Sequence, residues 1–221
     1  MPGEILEQQQ KASLVYSETI YKRLSKYFGR LKSPLKYTKD YELVIAVILS
    51  AQCTDERVNQ VTRELFKKYR SLQAFADANL DDLEEIIFPT GFFRNKSKQV
   101  KGFAEQLIKN FDSQLPDSIE KLTSLPGVGR KTANVVIGEV FGKAEGIVVD
   151  THVKRIAAKL GLTTETHPEN IEYDLMEKIH PKYWRRFSLY LIFLGRKHCK
   201  AHKTDCANCP LQAKCPSSIL P

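Results

Sequence analysis

Apolar residues recur along this chain at intervals of three and four, and no segment alternates for long enough to suggest a strand. Between residues 4 and 28, Ile5, Leu6, Leu14, Val15, Ile20, Leu24 and Phe28 fall near helical spacing, and the segment 29–34, with Gly29 and Pro34, breaks the pattern. A second helix is expected over 41–51. Thr54 then reads as the N-cap of a third, with Asp55 and Glu56 in its first turn and Val58, Val61, Leu65 and Phe66 along its apolar stripe. Short helices follow at 71–78 and 81–88. After them come a turn, PTGFFRNK, and a long amphipathic helix over 96–111. Residues 118–125 predict a short helix, PGVG a turn, and 130–141 the next helix. Asp150 opens another, closed by Gly161. Pro168 stands at the first position of one more, which ends near His180, and 183–199 forms the last.

The pattern predicts an all-α protein without repeats or low-complexity tracts. Glycines at 142 and 146 interrupt it and mark a crossing between domains. The expected organisation is a central helical domain over 33–143 and a second domain built from 1–32 together with 144–221. A chain of 221 residues is long enough to bury one core or two smaller ones.

Composition narrows the class. Apolar residues make up 42% of the chain, ordinary for a globular protein, and the run LVIAVIL at 43–49 is far too short to span a bilayer. The first residues, MPGEILEQQQKASL, lack a basic region leading into an apolar core, so no secretory signal is expected and the protein is assigned to the cytoplasm. The formal charge is +8, and from Pro181 onward eight Lys or Arg face a single Asp. A basic segment of that kind suits a polyanion, of which nucleic acid is the commonest, or a merely solvated surface. Four of the five cysteines, Cys199, Cys206, Cys209 and Cys215, are spaced C-x6-C-x2-C-x5-C, while Cys53 stands alone in an apolar stretch as a small core residue. Clustered thiols in a cytosolic protein suggest a metal centre, and spacing alone leaves zinc and iron–sulfur both open.

The segment SLPGVGRK carries the chemistry. Gly127 and Gly129 allow positive φ and leave the backbone bare around Val128. The amides of such a turn, with those of the helix that follows, suit a phosphate. A short helix before and a longer one after make a helix–hairpin–helix, which holds a DNA backbone without reading bases, and Arg130 adds positive charge. Nineteen residues beyond Lys131, in VVDTHVKRIAAKLG, Asp150 is placed as an N-cap. An amine nucleophile and an anion that stabilises positive charge are what cleavage of a glycosidic bond through a Schiff base requires.

LPGVGRKTANVV followed by VDTHVKRIAAKLG resembles the helix–hairpin–helix/Gly-Pro-Asp DNA glycosylases, and within them the endonuclease III family; the likeness runs from LVIAVILSAQCTD nearly to the end. The resemblance implies two helical domains with a DNA-binding cleft between them. It implies a bifunctional DNA glycosylase and AP lyase acting on oxidised or ring-saturated pyrimidines, with Lys131 as nucleophile and Asp150 as its anionic partner. It further implies a [4Fe–4S] cluster on the four cysteines, with Lys200 and Lys203 of that basic loop touching phosphate. In the family a glutamine and a bulky apolar residue fill the gap left by a flipped nucleotide. The matching positions are Gln52 in LSAQCTD and Phe92 in TGFFRNK, although the family often has an aliphatic residue at the latter. His152 follows the family's VDTH pattern and is expected to face the DNA. The implied partner is double-stranded DNA with damaged bases or abasic sites, bound by a monomer near the nucleoid if the source is prokaryotic. Two rivals stand beside this reading. One is a monofunctional uracil or mismatch glycosylase, disfavoured by Lys131. The other is a non-catalytic helix–hairpin–helix protein, disfavoured by retention of both Lys131 and Asp150.

Overall fold

The structure is a computed structural model that describes residues 2–219. Among these residues the regular structure is helical: α1 (Pro2–Phe28), α2 (Asp40–Leu49), α3 (Asp55–Lys68), α4 (Leu72–Ala76), α5 (Leu80–Ile87), α6 (Phe93–Phe111), α7 (Ile119–Thr123), α8 (Arg130–Val140), α9 (Thr151–Lys159), α10 (Pro168–Lys178) and α11 (Pro181–Lys197), with short 3-10 turns at Phe88–Thr90 and Gln212–Lys214. The side chains of Ile5 and Leu6, assigned above to the apolar stripe of α1, lie outside those described. No helix is long and apolar enough to cross a membrane among the described residues.

The chain divides into two compact units, one of Ser33–Gly142 and one of Met1–Lys32 with Lys143–Pro221. In the first unit, α2 is the central element: Leu43, Val44, Ile45, Ala46, Ile48 and Leu49 are all buried. Its apolar positions run almost without interruption because it is covered from several sides, as expected for a helix that is hydrophobic all round. Around it pack the stripes of α3 (Val58, Val61, Leu65) and α6 (Val100, Phe103, Ala104, Leu107), with Phe75 and Leu83 closing the core. The Thr54 hydroxyl accepts from the Arg57 amide at 3.3 Å, so the N-cap expected from sequence starts α3. Helix α6 begins at Phe93, three residues before the position that periodicity suggested.

In the second unit, Ile20 and Leu24 of α1, Val153, Ile156 and Ala157 of α9, and Phe187, Leu191 and Leu194 of α11 form the core. Helices α9 and α11 come into unusually close contact at Gly195, where an added Cβ would stand 2.7 Å from His152 Nδ1 and 2.9 Å from Ile156 Cδ1. Helix α1 is tied to α11 by Tyr190, whose hydroxyl donates to the Gly29 carbonyl at 2.9 Å.

The four clustered cysteines depart from the expected architecture. Cys199, Cys206, Cys209 and Cys215 are free and line one small apolar pocket with Ile156, Leu160, Leu194 and Leu211. Among the described residues, however, no group of three or more Cys, His, Asp or Glu is arranged so that it could hold a metal ion. Burial pushes the Cys199 and Cys209 thiols up from the ordinary cysteine range. The fold is therefore all-α in two helical units with a helix–hairpin–helix, and the [4Fe–4S] cofactor is withdrawn from it.

Candidate active site and DNA-binding surface

In the first unit three loops meet around the start of α6. The hairpin between α7 and α8 is built on a β-turn. The Val128 amide donates to the Leu125 carbonyl at 3.1 Å, Pro126 holds the second position, and Gly127 has φ +75° at the third. That is the residue pattern of a type II turn, in which the third position favours glycine. Space demands glycine as well: a Cβ on Gly127 would sit 2.9 Å from Gln99 Cβ and 3.1 Å from Ile48 Cδ1. Val128, expected among the DNA-binding residues, has its side chain 4% exposed in the core, and it anchors the turn from inside.

Gly129 behaves differently. Its φ of −85° is open to any residue, and a Cβ there would meet nothing within 4 Å. It is the N-cap of α8, and no side chain caps that helix. The first amides of an α-helix have no intrahelical acceptor, and together they carry the positive end of the helix dipole. Beside them stands Lys131, exposed at the second position of α8, with Arg130 half-buried at the first.

The other two loops carry Gln52 and Phe92, and both residues adopt the left-handed backbone region, with φ of 53° and 50°. Positive φ is uncommon for any non-glycine residue and a true outlier for one as bulky as phenylalanine. Gln52 lies in a tight turn closed by the Cys53 amide on the Ser50 carbonyl at 3.1 Å. Phe92 is the N-cap of α6, and its carbonyl accepts from the amides of Asn95 and Lys96 at 3.1 Å each. Both side chains are exposed, Phe92 to 66%. An apolar ring that far in solvent, on a strained backbone, adds little to the core, and such strain gathers at functional sites.

Sequence reasoning missed Lys96. Placed above at the end of the turn PTGFFRNK, it is 3% exposed, and its ammonium donates to the carbonyls of Leu49 at 2.9 Å and Thr90 at 2.8 Å. The signal was present, because Lys96, Val100, Phe103 and Leu107 fall at successive steps of four, three and four along the buried stripe of α6.

In the second unit Asp150 caps α9, its Oδ1 accepting from the Val153 amide at 2.8 Å, as its place in the sequence suggested. The carboxylate is half-buried, which leaves part of it accessible beyond the cap. His152 is half-buried too, and its Nδ1 lies 3.2 Å from Arg155, whose guanidinium also donates to the Cys199 carbonyl at 2.9 Å. The structure thus places His152 in the packing of α9 on α11. Lys200 and Lys203 are both exposed, in the loop that follows α11.

A helical hairpin turned on glycine, with open amides and a lysine at the mouth of its second helix, defines a class: helix–hairpin–helix proteins that hold a nucleic-acid backbone. A family model for HhH-GPD superfamily base excision DNA repair proteins matches residues 45–181. The endonuclease III of Synechocystis sp. is 46% identical over 195 residues, which cover 88% of this chain and 89% of that protein. Two solved structures, a non-covalent endonuclease III–DNA complex and a trapped endonuclease III–DNA covalent intermediate, each superpose with a TM-score of 0.85 at 38% identity. They cover 91% of this chain and 94% and 96% of theirs. The chain belongs to the endonuclease III family, and it is an enzyme of base-excision repair, a DNA glycosylase that is also an AP lyase.

Proposed function

We propose that this enzyme removes oxidised or ring-saturated pyrimidines from double-stranded DNA, with Lys131 as its nucleophile. The Lys131 amine attacks the anomeric carbon of the damaged nucleotide, and the glycosidic bond breaks with its electron pair leaving on the base. Asp150 stabilises the positive charge that develops on the sugar. The sugar ring opens to a Schiff base between Lys131 and the anomeric carbon. Loss of a proton from the neighbouring sugar carbon then expels the 3′ phosphate by β-elimination, cutting the strand 3′ to the abasic site. Water finally hydrolyses the Schiff base and restores the amine.

The observation that carries this reading is the position of Lys131, an exposed amine at the uncapped start of α8, beside a hairpin whose backbone is open at Gly129. Bound phosphate at that hairpin would fix the sugar within reach of the amine. A relative of 38% identity forms a covalent intermediate with DNA that can be trapped, which supports the same chemistry in this chain. Gln52 and Phe92 fill the gap left by the flipped nucleotide, and Arg130, Lys200 and Lys203 contact phosphates. The unit Ser33–Gly142 is the domain that carries the hairpin, one residue shorter than the expected 33–143. The enzyme works as a monomer in the cytoplasm.

Strand cleavage on a panel of duplexes, each carrying one damaged base, tests the substrate assignment. Scission at oxidised or ring-saturated pyrimidines is expected. Release of uracil or mismatched thymine with the strand left intact would favour a monofunctional glycosylase.

A further inference from the structure

We propose that Lys96 is a positioning residue that locks Gln52 and Phe92 into one rigid wedge; the proposal rests on the gap-filling role assigned to those two residues above. An ammonium group at 3% exposure is costly to hold unless its hydrogen bonds are satisfied inside the protein. Burial does lower the Lys96 pKa from the ordinary lysine range, with the nearby Cys53 thiol acting weakly the other way. The two acceptors that hold it are not part of α6. Leu49 is the last residue of α2, three before Gln52, and Thr90 closes the 3-10 turn, two before Phe92. One side chain thus holds a carbonyl three residues before one left-handed residue and a carbonyl two residues before the other.

The conformation explains why such a clamp is needed. A non-glycine residue held in the left-handed region persists only where its surroundings over-determine it. Neither Gln52 nor Phe92 is held by burial of its own side chain, since both are exposed. The same helix braces the third loop: Gln99, one turn beyond Lys96, abuts Gly127, and Gly102 abuts Pro126, whose Cγ would lie 3.4 Å from an added Cβ. An apolar side chain at 96 would serve the core of α6 and leave two carbonyls unpaired. Lysine sacrifices some of that packing and joins two tips that must enter the DNA together.

A double-mutant cycle tests this, with single-turnover base release from a damaged duplex as the readout and cleavage of a single-stranded abasic oligonucleotide, which leaves no gap to fill, beside it. Lys96→Met keeps length and removes the ammonium. It is expected to slow base release from duplex by roughly ten- to a hundredfold, the scale of small misplacements at a reacting centre. Single-strand cleavage should suffer much less. Gln52→Ala and Phe92→Ala should each slow duplex turnover in wild type and add little further in the Lys96→Met background. Full additivity, or equal losses on both substrates, would overturn the proposal. If Gln52→Ala and Phe92→Ala do nothing in wild type, the gap-filling reading itself fails, a separate result. Amide exchange in the wild-type enzyme provides a check that needs no variant. Residues 50–53 and 90–93 should gain protection together on a duplex carrying a stable abasic analogue, and independent protection of the two segments would also contradict the clamp.

Discussion

The gap-filling role proposed for Gln52 and Phe92 comes at the expense of stability. Each holds a backbone conformation that costs about 1 kcal/mol or more for a side chain of its kind. Because Phe92 is 66% exposed, Phe92→Gly removes little burial and relieves the strained φ. Chemical denaturation should place that variant within about 1 kcal/mol of wild type or above it, whereas base release from a damaged duplex should slow severalfold. A large loss of stability would mean that the ring serves the fold. The sequence made both residues candidates, but their positive φ could not be read from it. Neither is a glycine, and the groups that hold their surroundings, such as the Lys96 ammonium on the Leu49 and Thr90 carbonyls, lie far from them along the chain or in another element. Lys96 itself was legible only to a reader who counted steps along α6 and trusted the stripe over the charge.

At the scale of elements, the two glycines of the hairpin separate fold from function. Gly127→Ala adds a Cβ 2.9 Å from Gln99 Cβ at a φ of +75°, and it should destabilise the protein by roughly 1–3 kcal/mol in thermal or denaturant unfolding. Gly129→Ala meets nothing within 4 Å and should leave the unfolding midpoint close to wild type. Affinity for DNA should nevertheless fall, because the bare backbone is where a phosphate would approach. If Gly129→Ala binds duplex normally, the hairpin's open end does not touch the ligand. At Gly195 an added Cβ would press on the side chains of His152 and Ile156 in α9. Helices and their order were plain from periodicity, caps and glycine breaks. What periodicity could not supply was close approach between elements, as at Gly195, or a helix start made by a left-handed phenylalanine, as in α6, because both depend on what lies across the fold.

For the whole molecule, the formal charge of +8 and the exposed Lys200 and Lys203 predict a binding mode led by phosphate contacts. Affinity for undamaged duplex should fall roughly tenfold or more between low and physiological salt, for a few neutralised phosphates. Lys200→Ala should weaken binding to every sequence and flatten that dependence, and an unchanged slope would remove the loop after α11 from the interface. The cysteine spacing shows where whole-chain resemblance ran ahead of the structure. Four thiols line one pocket, yet they are not arranged to hold a metal ion, and their number and order along the chain did not fix that geometry. In the mechanism proposed above, one exposed amine at the mouth of the hairpin forms the covalent bond to DNA. Borohydride added during turnover on a damaged duplex should capture a stable protein–DNA adduct with the wild-type enzyme. With Lys131→Gln the adduct and strand cleavage should both vanish while binding to the lesion persists. An adduct formed by Lys131→Gln at the wild-type rate would place the nucleophile elsewhere and contradict the mechanism.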